Sequence, residues 1–303
     1  IVNRKNNARI ARWIVEQATA LGFKNYIHLI DTDIYRSRYL KEYIHPAVSI
    51  YYRRDYIIGE AYWRRHGTRL EPELAASADI VLANSTRFAA ELQPYNPHTY
   101  PIETGVNLEL YNPAKKYETP GDMQDIPRPI IGYMGTINST RLDGELLYQI
   151  ISQRPDYSFV FTGPEDDIFR RNRIHSLKNA YFTGQKKVDE LPAYIAAYDV
   201  CINPQMVNEI TDGNYPLKID EYLAMGKPTV ATSTHTMRNI FAGHTHLAIT
   251  PEEWLSAIDR AVTEADDKEL AKQRIAFAET HSWGHSVKKI YDIIDKFLKE
   301  RTT

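Results

Sequence analysis

What most limits the folds open to this chain is an alternation, sustained over nearly its whole length, of short β-rich apolar runs with amphipathic stretches. Strands that alternate with helices are joined by crossovers, so the pattern predicts an α/β protein with parallel sheets. In the first third, Ile10, Trp13, Ile14, Gln17 and Leu21 mark one helix face ended by Gly22, and Tyr26-Ile27-His28-Leu29-Ile30 follows as a strand. Further strands are expected over 47–51 and 79–83, the second leading into a helix that Ser85 or Thr86 caps.

Between Asn112 and Pro129 the periodicity lapses, and Pro113, Pro120 and Gly121 give the stretch the composition of a linker. With 303 residues, more than a single core usually serves, the reading is a first domain over 1–115, a linker over 116–128 and a second domain over 129–281. The second domain restarts with a strand over 130–134, a glycine turn, a helix over 142–152, strands over 157–162 and 180–183, a helix over 190–197 and a strand over 199–203. A helix from Tyr215 or Pro216 to Met225, stopped by Gly226, and a strand over 228–231 complete it. This is the order of a doubly wound, Rossmann-like half. Over 282–303, Val287, Ile290, Ile293, Ile294 and Phe297 form one stripe, so a terminal helix docked on other structure is expected.

Composition removes several function classes. Lys and Arg number 37 against 39 Asp and Glu, a net charge of -2, which disfavours nucleic acid as a partner. The single cysteine, Cys201, rules out an internal disulfide and a CxxC metal site, and its apolar surroundings assign it to the core. His28, His45 and His66 lack metal-ligand spacing, so no metal is expected. No apolar run approaches the roughly 20 residues of a membrane span, which argues for a cytoplasmic protein.

In doubly wound sheets ligands bind beyond the carboxyl ends of the strands. After the strand over 130–134 comes Gly135-Thr136-Ile137-Asn138, where a small residue lets backbone N–H groups approach an anion at a helix entrance; a plain turn between strand and helix fits as well. The run from Thr211 to Ala231 holds more. A loop containing Asp212, Gly213, Asn214, Tyr215 and Pro216 opens a helix at Leu217 whose N–H groups suit a phosphate, with Lys218 adding a charge. Glu221, three residues on, lies on the same face, where a carboxylate can accept two sugar hydroxyls; an ordinary i,i+3 surface ion pair with Lys218 is the alternative.

Residues 216–228, Pro216-Leu217-Lys218-Ile219-Asp220-Glu221-Tyr222-Leu223-Ala224-Met225-Gly226-Lys227-Pro228, resemble the donor-site helix of GT-B glycosyltransferases of the large family 4 (group 1) type. Three further segments resemble the same family in the same order: 104–111, 131–136 and Phe182-Thr183-Gly184-Gln185. The resemblance implies two Rossmann-like domains facing a cleft, a nucleoside-diphosphate sugar held by the second, Glu221 on the ribose, and a last helix crossing back to the first. It implies no metal or other cofactor besides the nucleotide-sugar co-substrate. Many members place a glutamate for the donor sugar where this chain has Gly213, with Asp212 and Glu209 nearby; Asp212, Asn214, Tyr215 and Leu217 are counted among the donor-binding candidates. Many also carry an arginine and a lysine after the glycine turn; Thr136 stands there instead, and Lys218 and Arg141 are the substitutes for the diphosphate. The backbone near Gly184, Gln185, Lys186 and Lys187 is expected to meet the base. The family's opening strand and glycine loop have no counterpart in this sequence, so the first domain is expected to be incomplete at its start.

For the acceptor side, residues 35–66 carry Arg36, Arg38, Lys41, Arg53, Arg54, Arg64 and Arg65 against Glu42, Asp55 and Glu60, interleaved with tyrosines and Trp63. The stretch reads either as a surface for anionic lipid headgroups or a lipid-linked acceptor, peripheral at the inner membrane face, or as a solvated helix face with buried tyrosines. Asp55 is a candidate to orient or deprotonate an acceptor hydroxyl, or a helix N-cap. The functional expectation is a retaining hexosyltransferase that moves a sugar from a nucleoside diphosphate to a carbohydrate or lipid-linked hydroxyl, in cell-surface glycan or polysaccharide synthesis. A nucleotide-sugar epimerase and a non-catalytic nucleotide-sugar-binding module share the same architecture.

Overall fold

The computed structural model describes residues 2–302. Two compact units emerge. The first comprises the chain up to Glu103, Gly213–Tyr215 and the residues from Ser286 onward; the second comprises Thr104–Asp212 and Pro216–His285.

The first unit runs α1 (Val2–Ala20), β1 (Ile27–Asp31), α2 (Leu40–Ile44), β2 (Val48–Arg53), α3 (Ala61–Ser77), β3 (Ile80–Ala83), α4 (Thr86–Leu92) and β4 (Thr99–Pro101). Its sheet has the order β1-β2-β3-β4, every pair parallel, with Ile27 opposite Val48, Ile50 opposite Ile80 and Val81 opposite Thr99. All six residues of β2 are buried, as a parallel strand covered on both faces requires. The period of two sends Tyr51 to one face, with Ile30, Leu74 and Val81, and sends Val48, Ile50 and Tyr52 to the other, with Leu82 and Ile102. Ser85 caps α4 by accepting from the Phe88 N–H.

Arg53, expected among the surface cations of 35–66, is buried instead. Its guanidinium lies 3.5 Å from Glu71 and 3.0 Å from Glu91, and 4.4 Å from the centre of the Phe88 ring. Tyr51 donates to the same Glu71 at 2.7 Å. Arg36, Arg38, Lys41 and Arg54 pair with Asp33, Glu73, Asp79 and Asp31. Much of the positive surplus is therefore matched inside the unit by acids from other elements, which counting within 35–66 could not see.

The second unit contains β5 (Ile130–Met134), α5 (Gly144–Ser152), β6 (Ser158–Thr162), β7 (Ala180–Gly184), α6 (Leu191–Ala197), β8 (Val200–Asn203), α7 (Leu217–Ala224), β9 (Thr229–Thr232), β10 (His246–Ala248), α8 (Pro251–Thr263) and α9 (Lys268–Thr280). The parallel sheet has the order β10-β9-β8-β5-β6-β7. Counted from the unit's own first strand this is 3-2-1-4-5-6, the doubly wound order, and it places the topological switch point between β5 and β8. Cys201 is buried in β8. Gly132 in β5 has no room for a side chain, since a Cβ there would come within 2.2 Å of the Tyr198 ring. Helix α8 opens with Pro251 and a reciprocal Thr250–Glu253 capping box.

Helix α10 (Trp283–Thr302) begins in the second unit and enters the first at Ser286. There Ile294 and Phe297 pack with Val48, Ile50 and Leu82. The division between units falls at Glu103–Thr104, ahead of the linker expected over 116–128. The reason is local: Thr104–Tyr111 is packed into the second unit, with Val106 bridged to Ser282. No helix among the described residues is long and apolar enough to cross a membrane.

Candidate functional site

The second unit gathers several of the expected residues at the carboxyl ends of β5 and β8. Gly135, directly after β5, has φ +132, a conformation that favours glycine. A Cβ on it would lie 2.9 Å from Lys218 Nζ, so the missing side chain is the space into which the ammonium reaches. Its own N–H is not offered to a ligand, because it donates to Thr162 O at 2.9 Å, and the Ile137 N–H donates to Pro164 O at 2.8 Å. Of the two readings of this turn, the plain turn between strand and helix describes these two N–H groups. Helix α5 starts only at Gly144, capped by Asp143, and the glycine's contribution is room for a cation.

Lys218 stands in the first turn of α7. Its Nζ donates to the Tyr133 hydroxyl at 2.7 Å and lies 4.2 Å from that ring's centre, and the hydroxyl in turn donates to Thr136 O at 2.9 Å. Thr136 itself is exposed, and Arg141 is half-buried with its carbonyl accepting from Met206 N–H at 2.8 Å. Pro216 heads α7 and no side chain caps it; the Ile219 N–H donates back to Pro216 O at 2.9 Å, and the Leu217 and Lys218 N–H groups stand at the positive end of the helix. Leu217 is half-buried beside it, and Tyr215, which belongs to the first unit, is buried.

Glu221 is one helix turn beyond Lys218. Lys218 is bound to the Tyr133 hydroxyl, and the Tyr111 phenol acts on the Glu221 carboxylate. Burial raises the Glu221 pKa to about 7; the Tyr111 hydrogen bond and Lys218 hold it down, and Asp220 pushes it up. Burial and the neighbouring carboxylate likewise raise the Tyr111 phenol above its ordinary range, so it remains a donor. Asp220 is fully buried and paired with His281 Nδ1 at 2.9 Å.

Other expected residues fall elsewhere. Gly184 ends β7 with φ +70 and open space around it. Lys187 is exposed and its N–H donates to Glu190 at 2.8 Å, while Lys186 is bound to Asp122 at 2.7 Å, so that backbone and that ammonium are already engaged. The Asp212 carboxylate accepts from the His235 N–H at 2.8 Å. Gly213 and Asn214 belong to the first unit. A Cβ at Gly213 would come within 2.6 Å of Phe88, which accounts for a glycine there, and Asn214 donates to the exposed Asp55 at 3.0 Å. Asp55 caps no helix; the short helical turn Ile57–Gly59 begins from Tyr56 without a side-chain cap.

Two residues of this constellation were not assigned from sequence. Tyr133 was inside a recognised segment, and its i+2 neighbour Gly135 was the signal available. Tyr111 closed another segment, but its partner lies in a helix far along the chain and no periodicity links them.

Residues 128–264 match the family of glycosyl transferases group 1. A Bacillus subtilis protein described as a teichuronic acid biosynthesis glycosyltransferase, TuaH, is 27% identical over 188 residues, covering 60% of this chain and 47% of that protein; the chain thus spans about half the length of this relative. Among solved structures, Anabaena HepE in complex with UDP superposes with a TM-score of 0.74 at 15% identity, covering 95% of this chain and 82% of that one. Arabidopsis thaliana starch synthase IV bound to ADP and acarbose gives 0.72 at 12% identity, covering 97% and 77%. Sucrose-phosphate synthase from Thermosynechococcus elongatus gives 0.70 at 18%, covering 96% and 78%. At these identities the likeness establishes the GT-B fold.

Proposed function

We propose, from the match of residues 128–264 to the group 1 glycosyltransferases, that the chain transfers a sugar from a nucleoside-diphosphate sugar to a hydroxyl acceptor, with retention of configuration, in the synthesis of a glycan or polysaccharide. The observation that carries the reading is the placement of Lys218 in the glycine-made space at the end of β5, beside the uncapped end of α7 and one turn from Glu221. When the sugar–phosphate bond breaks, negative charge grows on the departing diphosphate. A fixed ammonium and the first N–H groups of α7 meet that charge without reorganising, and the reading needs no metal ion for it. Glu221, deprotonated, accepts the ribose hydroxyls and sets the nucleotide along the helix.

Arg141, Thr136, Asp212, Tyr215 and Leu217 complete the donor side. Asp55, fixed by Asn214, orients or deprotonates the acceptor hydroxyl. Relatives named for UDP complexes and for teichuronic acid synthesis favour a uridine donor and a cell-surface polymer as product. The acceptor is a carbohydrate or lipid-linked saccharide. Peripheral membrane contact through 35–66 rests on exposed Tyr62, Arg64 and Arg65, since the other cations named above are paired.

The test is turnover of UDP-, GDP- and ADP-sugars with carbohydrate and lipid-linked acceptors, product analysis separating transfer from epimerisation. Lys218→Ala is expected to slow transfer by roughly 10²-fold or more while the melting temperature without ligand stays within a few degrees of wild type. An unchanged rate overturns the assignment.

A further inference from the structure

We propose that Tyr133 is a positioning residue for the departing diphosphate: its hydroxyl and the face of its ring hold the Lys218 ammonium in the space beside Gly135. The inference rests on the reading of Lys218 given above and adds to it a residue of β5 that acts through that ammonium.

Tyr133 is 1% exposed, and its ring is locked among Ile131, Ile137 and Phe161 in the core of the second unit. The hydroxyl emerges at the glycine turn. It donates its proton to Thr136 O at 2.9 Å, so a lone pair is left to face Lys218, whose ammonium can only donate and does so at 2.7 Å. Nζ also lies 4.2 Å from the ring centre, within reach of a cation–π contact. Gly135 makes room for both groups: a Cβ there would come within 2.9 Å of Nζ, 3.3 Å of Lys218 Cε and 3.4 Å of the Tyr133 hydroxyl. The helix itself is docked by a different tyrosine. Tyr222 in α7 accepts from the Met134 N–H at 2.8 Å and donates to Met134 O at 3.4 Å. Tyr133 is therefore not needed to seat α7 on β5; what it settles is where the end of a long, flexible side chain comes to rest.

The character of the contact matters as much as its place. Among the described residues no carboxylate is in salt-bridge contact with Lys218; Glu221, a helix turn away, interacts with it through space. An ammonium held by a neutral phenol keeps its charge for an incoming anion, whereas one paired with a carboxylate would have to break that pair first. It also has further N–H donors beyond the one spent on Tyr133. The stem of a lysine is flexible, so without the phenol the charge would have to be placed at the moment of reaction rather than beforehand. Because charge on the diphosphate grows as the sugar–phosphate bond breaks, misplacing the ammonium weakens the transition state more than the bound substrate.

The experiment compares the wild type, Tyr133→Phe, Lys218→Ala and the double variant. It measures kcat and KM for release of the nucleoside diphosphate from UDP-glucose, ADP-glucose and GDP-mannose, and the Kd of UDP, ADP and GDP. Tyr133→Phe keeps the ring and its packing, so its unliganded melting temperature should stay within a few degrees of wild type. Its kcat should fall about tenfold, with KM raised by less than about threefold. The double variant should match Lys218→Ala in kcat and in Kd to within about twofold, because with the ammonium gone the phenol has nothing to position. A Tyr133→Phe loss that recurs undiminished in the Lys218→Ala background would mark general structural damage and overturn the role of Tyr133, as would wild-type kinetics and affinity in Tyr133→Phe; in either case the loss in Lys218→Ala alone upholds the assignment of Lys218. If Lys218→Ala changes neither rate nor diphosphate affinity, or the wild type binds none of the three diphosphates, both readings are overturned.

Discussion

Glu221 is ionised at a thermodynamic cost that follows from its surroundings. Its pKa, about 7 in the folded protein, lies above the ordinary carboxylate value of 4.5, chiefly through burial. Between those two values the folded state holds a proton that the unfolded chain has released, so stability falls as pH rises through this window and the loss is complete above about pH 7. Glu221→Gln, which has no charge to desolvate, should therefore be more stable than wild type at pH 8 by up to about 3 kcal/mol and show little gain at pH 4. Denaturant melts at the two pH values read this directly. An equal effect at both would mean that the carboxylate is not held protonated by burial. At this scale the sequence revealed Lys218 and Glu221, because two residues three apart on a helix entered from a Gly/Asn/Pro loop share a face whatever else surrounds them. It did not reveal that Lys218 is bound to Tyr133, or that Tyr111 acts on Glu221, since those tyrosines come from another strand and a distant loop and nothing local records the association.

At the scale of elements, helices and strands with strong periodicity and clear punctuation were legible to within a residue or two. Ser85 as a cap, Gly226 after α7 and the strand over 130–134 are where their chemistry placed them. The three-residue strands β4 and β10 were not anticipated, because three residues are too few for alternation to register; they exist by pairing with β3 and β9. The turn after β5 keeps two readings open in the sequence for a related reason. A glycine beside a strand signals an unusual backbone but not whether its N–H faces a ligand or a neighbouring loop, and here it faces Thr162. Two element-scale predictions follow from contacts. Asp143→Ala removes the acceptor for the Glu145 and Leu146 N–H groups and should cost about 1 kcal/mol in a urea melt. Gly105→Ala forces a Cβ into the Trp283 backbone, which cannot give way as a flexible side chain would, and should cost more than about 2 kcal/mol. A neutral Gly105→Ala would show that 104–111 is not packed as described.

Across the whole molecule, the α/β class and the doubly wound second unit were readable from the order of elements, and the sheet order β10-β9-β8-β5-β6-β7 puts the switch point where Gly135 and α7 meet. The extent of the first unit was not readable, because it takes Gly213–Tyr215 and the turns of α10 after His285 from distant parts of the chain. Phe297, buried against the sheet of that unit, illustrates the dependence. Phe297→Ala should destabilise it by about 3 kcal/mol, seen as a lowered unfolding midpoint by near-ultraviolet circular dichroism. The account's central claim is that α7, with Lys218 and Glu221, holds a nucleoside diphosphate. The most direct test is a thermal-shift titration of the wild type and Glu221→Ala with UDP, GDP, ADP and CMP, because a ligand that binds only the native state raises the melting temperature by mass action. We expect one diphosphate, with UDP first in line, to raise the wild-type melting temperature by several degrees and to leave that of Glu221→Ala unmoved. A shift of the same size in both proteins, or none with any nucleotide, would contradict the account.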